Sequence, residues 1–135
     1  MNPAPNLSWI LDELVSVPHA RHAVLLSADG LMTATSEGVD RDLGDSVAAL
    51  TSGLQSLSRA AAVFASGGED PWEQTLVQFG NGFIFIVAAG EGTFLVVSAG
   101  REVDIEAMSF RMGKTIDRVG QELGLAPRQA PVGGA

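Results

Sequence analysis

Residues Asn81 to Ala99 read NGFIFIVAAGEGTFLVVSA. Two strand-length runs, Phe83 to Ala88 and Thr93 to Ser98, are joined by Gly90-Glu91-Gly92. Neither run alternates apolar with polar residues, as a half-exposed strand does. Successive side chains on a strand point to opposite faces, so an unbroken apolar run needs cover on both. Helices must supply that cover. Upstream, Gly80-Asn81-Gly82 turns the chain out of a third run, Trp72 to Phe79. Three strands with two glycine-rich turns make an antiparallel meander.

Working outward, His22 to Ser27 and Leu31 to Thr35 flank Asp29-Gly30. Asp and Gly accept the positive φ of a tight turn, which predicts a hairpin. A first helix is expected from about Leu7 to Val17, capped by Asn6 and followed by Pro18, with Leu7, Ile10, Leu11 and Leu14 inward. A last helix, about Ile105 to Leu123, is capped by Asp104, carries Met108, Met112, Ile116 and Val119 on one stripe, and stops at Gly124. The order is helix, two strands, helix, three strands, helix. This is an α/β sandwich around a five-stranded antiparallel sheet. The residues alone leave the strand order open. Residues 1–6 read as a flexible lead-in, 7–124 as the domain and 125–135 as a disordered tail.

The middle helix is unusual. It spans Asp40 to Phe64 and has no Lys, Arg, Asp or Glu between Asp45 and Arg59. Leu43, Val47, Leu50, Leu54, Leu57, Ala61 and Phe64 form a large apolar stripe, and Ser46, Ala49, Gly53, Ser56 and Ala60 form a stripe of small residues. An ordinary surface helix has one apolar stripe and a charged face. Two stripes predict two partners: the chain's own sheet beneath the large stripe, and a second copy beside the small one. The remaining side, Ala48, Ser52, Gln55 and Arg59, is the expected surface for another protein. Trp72 to Phe79 opens the meander as a candidate edge strand, and an uncovered edge invites pairing.

Composition narrows the function. The net charge of −8 lacks the basic footprint of nucleic-acid binding and opposes an anionic membrane surface. No apolar run approaches a membrane span, and the first residues lack a basic signal-peptide region, so a cytoplasmic protein is expected. With no cysteine there is no disulfide, thiolate metal site or thiol nucleophile.

Catalytic motifs find no foothold. Gly113-Lys114-Thr115 imitates the end of a phosphate-binding loop, but Met108 stands where that loop needs its first glycine, and the triplet lies inside a helix. Asp40, Asp42 and Asp45 lack calcium-loop spacing and suit a helix N-terminus instead. His19 and His22 offer too few ligands for a metal. The expectation is a non-enzyme with no catalytic residue, cofactor or metal.

Two stretches carry a family resemblance: VPHARHAVLLSADGLMTATSEGVDRDLGDSVAALTSGLQSLSRAA, from Val17 to Ala61, and NGFIFIVAAGEGTFLVVSA with the helix after it. Together they resemble the bacterial Roadblock/dynein light chain family. The resemblance covers about Leu7 to Leu123, and its most specific parts are the SADG hairpin and the GVDRD entry to the long helix. It implies a profilin-like sheet in the order 2-1-5-4-3, with the long helix on one face and the other two helices on the opposite face. It implies a homodimer joined through the third strand, with the long helices side by side. Carried to this chain, the dimer interface is Ser46, Ala49, Gly53, Ser56, Ala60, Trp72, Gln74 and Leu76. The resemblance is strongest to members encoded beside a small Ras-like GTPase and a sensor-kinase-like protein, which implies a regulator or scaffold of such a GTPase. Arg59 as an arginine finger has no support in the family pattern. A small-molecule sensor with a pocket between helix and sheet is the alternative on this fold.

Overall fold

The structure is a computed structural model that describes residues 6–90 and 92–123. In chain order the elements are α1 (Ser8–Leu14), β1 (Ala20–Ser27), β2 (Met32–Thr35), α2 (Arg41–Ala60), α3 (Ala62–Ser66), β3 (Gln74–Phe79), β4 (Gly82–Ala88), β5 (Thr93–Gly100) and α4 (Ile105–Glu122). The five strands form one sheet in the order β2-β1-β5-β4-β3, every neighbour antiparallel. This is the order the resemblance implies. The expected stop at Gly124 and the tail lie outside the described residues.

The apolar runs of β4 and β5 divide between two cores. Phe83, Phe85, Leu95 and Val97 point to one face with Ala23 and Leu25 of β1, where Ile10, Leu11 and Leu14 of α1 and Met108, Met112 and Val119 of α4 cover them. Val24, Leu26, Ile86, Phe94 and Val96 point to the other face, under α2. So the long helix takes one face and the first and last helices the other. Each large side chain fully buried in this way contributes roughly 1.5–3 kcal/mol.

Local chemistry sets the boundaries. The Asp40 carboxylate accepts from Leu43 N at 2.8 Å, and that of Asp104 from Ala107 N at 3.0 Å, each capping a helix. Asn6 accepts from Ser8 N at 3.0 Å, but Leu7 occupies the cap position. The first helix is shorter than expected. Pro18 disfavours helical geometry at Val17, and Ser16 and Val17 turn out of the helix on bonds to Glu13 O and Leu14 O. The long helix is interrupted at Ala61, whose N–H reaches both Leu57 O and Ser58 O at 3.1 Å, tightening the last turn before α3. Gly67, with φ 92°, ends α3. The hairpin turns at Gly30, with φ 87°, as Asp29-Gly30 predicts.

Candidate protein-interaction surface

Helix α2 lies on its sheet through small residues. Gly44, Ala48 and Thr51 are its buried positions. Val47 and Leu54 pack beside them, partly buried. The contact at the N-terminal end is close: a Cβ on Gly44 would stand 2.1 Å from Met32 Sδ. Thr51 Oγ1 is buried with no hydrogen-bond partner among the described residues.

This arrangement corrects the expected orientation of the helix. Leu43 and Leu57, expected against the sheet, are 42% and 72% exposed, and Leu50 is exposed with them. Phe64, placed on the same stripe, lies on α3 at 96% exposure. Only Val47 and Leu54 of that stripe reach the core. The physical reason is the 3.6-residue period: Leu43, Leu50 and Leu57 recur every seven residues and sit about 100° round the helix from Thr51. Small side chains at Gly44 and Ala48 bring the helix axis near the sheet, which leaves the leucines at its flank.

Of the surface expected for another protein, Ala48 alone is turned inward. Ala48 is only 2% exposed and meets the chain's own strands. Ser52 and Gln55 are half-buried. Arg59 is exposed, but its guanidinium is engaged. It lies over the Trp72 ring at 4.9 Å from the centroid, and its Nε donates to Gln55 Oε1 at 2.6 Å.

Of the residues expected at a dimer interface, Ser46, Ala49, Gly53, Ser56 and Ala60 are all exposed on α2. They adjoin the leucine line, so large and small residues make one charge-free face turned away from the sheet. Strand β3 pairs only with β4, and its other edge is open. Gln74 and Leu76 are exposed on it. Gln74 faces α4, where Ser109 Oγ donates to its Oε1 at 3.3 Å. Trp72 precedes the strand and packs half-buried in the α2-side core, edge-on to Phe94 at 6.1 Å. Trp72 Nε1 donates to Thr75 Oγ1 at 2.9 Å, and Thr75 Oγ1 donates to Ser58 Oγ at 2.7 Å. These bonds tie the open edge to α2. Seven of the eleven exposed large hydrophobic residues lie on α2, α3 and β3, which makes this the main apolar surface among the described residues.

The candidate chemical groups stay apart. Asp40 is a helix cap. No group of three His, Cys, Asp or Glu able to hold a metal occurs among the described residues, and none of their helices is long and apolar enough to cross a membrane. His22 Nδ1 is buried without a hydrogen-bond partner beside Gly38. Between α2 and the sheet, Ala48, Ile86, Phe94 and Val96 pack together.

The model of the Roadblock/LC7 domain matches residues 8–99. The chain belongs to the Roadblock/LC7 family. A crystal structure of a Roadblock/LC7 domain from Streptomyces avermitilis is 40% identical, covering 89% of this chain and 99% of that one, with a TM-score of 0.81. A second Roadblock/LC7 structure from that organism is 32% identical, covering 84% and 98%, with a TM-score of 0.68. The gliding protein MglB of Thermus thermophilus shares the fold, with a TM-score of 0.76 at 18% identity, covering 92% and 94%. Comparison with curated protein sequences gives no match.

Proposed function

We propose that this Roadblock/LC7 chain is a homodimeric, non-catalytic regulator or scaffold of a small Ras-like GTPase in bacterial signalling, acting in the cytoplasm with a sensor-kinase-like protein as a further component. The observation that carries the reading is the charge-free exposed face of α2 next to the open edge of β3. A monomer would leave this apolar surface in water at a cost of about 25 cal/mol per Å². In the dimer, two β3 edges pair and two α2 helices lie side by side. Ser46, Ala49, Gly53, Ser56 and Ala60 then let the helix backbones approach, and Leu50 and Leu57 fill the groove between them. The GTPase docks across the paired helices. The fold shared with MglB and the resemblance to GTPase-neighbouring members support that assignment.

Gly53 separates the dimer from the fold. A Cβ there meets nothing within 4 Å in the single chain. Gly53→Leu is therefore expected to leave the protomer folded and to lower the dimer fraction, read by light scattering over a dilution series. A wild-type chain that stays monomeric at about 100 µM, far above the affinity of a standard interface, would refute the dimer. The GTPase is tested separately by calorimetry with small Ras-like GTPases from the same genome, each loaded in turn with GDP and a non-hydrolysable GTP analogue. Heat of binding in at least one state is expected; a flat trace in both would remove the partner and leave the dimer standing.

A further inference from the structure

The face opposite α2 holds a cleft of about 250 Å³ between α1 and α4. Ile10, Glu13 and Leu14 of α1 and Phe110, Arg111, Lys114, Thr115 and Arg118 of α4 line it. Arg111, Lys114 and Arg118 are spaced three and four residues apart, so they rise along one side of α4. They stand out in a chain with 16 acidic and 8 basic residues.

The three cations are not equivalent. Arg118 is committed: its Nη1 meets Glu13 Oε1 at 2.9 Å, and its guanidinium stands 5.6 Å from the Trp9 ring centroid. Lys114 lies over the exposed Phe110 ring at 5.2 Å, which orients the ammonium without neutralising it. Neither Lys114 nor Arg111 has a carboxylate partner among the described residues. The other acid of α1, Asp12, accepts from Glu37 N at 2.8 Å. The cleft thus has an exposed aromatic wall at Phe110 over the buried Ile10 and Leu14, and two positive charges at its rim with no salt-bridge partner among the described residues.

We infer that the α1–α4 cleft is a docking site for an acidic segment of a partner protein. Carboxylates of the segment meet Arg111 and Lys114, and an apolar side chain beside them rests on the exposed Phe110 ring. Charge complementarity selects this occupant. A phosphate-binding role for Gly113-Lys114-Thr115 fails because the triplet lies within α4, where the backbone N–H groups are used by the helix. The net charge of −8 opposes an extended anionic surface such as a bilayer more than a short acidic segment, which at physiological salt meets only the local charges of Arg111 and Lys114. The volume suits one side chain and is small for a drug-sized ligand. The site lies across the sheet from the proposed dimer and does not depend on it.

The test uses the full chain, ¹⁵N-labelled, and a capped hexapeptide with four glutamates flanking a central pair of leucines. Saturable shifts are expected at the Trp9 indole N–H and along α1 and α4, with affinity falling by about fivefold or more between about 50 and 300 mM NaCl. Arg111→Glu with Lys114→Glu should abolish the shifts while the far-UV dichroism is unchanged. If that variant does not fold, Arg111→Gln with Lys114→Gln serves with the same expectation. The inference is overturned by any of four results: no saturable shift at about millimolar peptide, where a Kd corresponds to only about 4 kcal/mol; equal binding by the charge variant; equal binding of a peptide with glutamines for the glutamates; or binding to phosphatidylserine vesicles that the peptide cannot displace.

Discussion

Arg59 and Trp72 close one end of α2: the guanidinium lies over the indole, 4.9 Å from the ring centroid, on a residue thirteen positions further along the chain. The contact joins the last turn of the helix to the segment entering β3. It accounts for Arg59 as part of the protomer's own structure. Arg59→Ala and Trp72→Ala should each destabilise the fold, and the double variant should lose less than the sum. A coupling of about 0.5–1 kcal/mol is expected for an exposed cation–π pair. Urea titrations of the four proteins at one concentration measure it, and strict additivity would show that the stacking contributes nothing.

Ser36 holds the start of the hairpin from inside. Its Oγ accepts from Ala23 N at 2.8 Å, and the pair is buried. Ser36→Ala would leave that N–H without a partner, at a cost of about 1–3 kcal/mol. Chemical denaturation should show a lower midpoint with an unchanged slope.

Glycines of the two long helices are predicted to respond in opposite ways. Gly113 in α4 has open space where a Cβ would stand. Gly113→Ala should gain up to about 1 kcal/mol from helix propensity and raise the Tm by a few degrees. Gly44→Ala adds the same propensity but drives its Cβ into Met32, so the side chain must leave its place in the α2-side core. Its Tm should fall below that of Gly113→Ala, as differential scanning calorimetry will read.

Asp29 provides the pH-dependent element. The Ser27 hydroxyl donates to its carboxylate and, with the Leu31 backbone, holds its pKa below the ordinary value. A carboxyl with a depressed folded-state pKa stabilises the fold above its unfolded pKa. That contribution is lost as pH falls through the folded value. The group is at the surface of the turn, so the change in stability is small, and the titration itself is the better readout. Ser27→Ala should raise the Asp29 midpoint in a carbon-detected NMR titration. An unmoved midpoint would assign the depression to the backbone alone.

The sheet was legible from sequence because its signals are local and agree. Asp29-Gly30 marks one turn, glycines mark the others, and the unbroken runs at Phe83 and Phe94 report cover on both faces. Asp104 places the start of the last helix to the residue, and the long run read from Asp40 begins one residue before α2. The orientation of α2 was not legible. Leu43, Leu50 and Leu57 outweigh Gly44, Ala48 and Thr51 in hydrophobicity, and the rule that the more apolar side faces inward assumes one buried face. That rule fails when a helix has two apolar sides and its most buried positions are small residues. Trp72 begins the strand-like run, but its packing against its own helix through Thr75 and Ser58 depends on contacts far apart in sequence. The α1–α4 cleft was hidden because its parts, Ile10 and Arg111, are a hundred residues apart in sequence.

The two cores differ in depth, and this grades the protomer's opening. Among the described residues, sixteen buried hydrophobic residues bind α1 and α4 to the sheet, and six make the core beneath α2. Opening free energies follow the apolar surface that each segment keeps from water. Helix α2 therefore belongs to the first cooperative unit to detach, and α4 with the central strands to the last. Since the detaching helix is also the one proposed to meet the second copy, association would slow its hydrogen exchange by mass action and leave α4 nearly untouched. Diluting the protein would then loosen one side of the sheet first, leaving the other side folded.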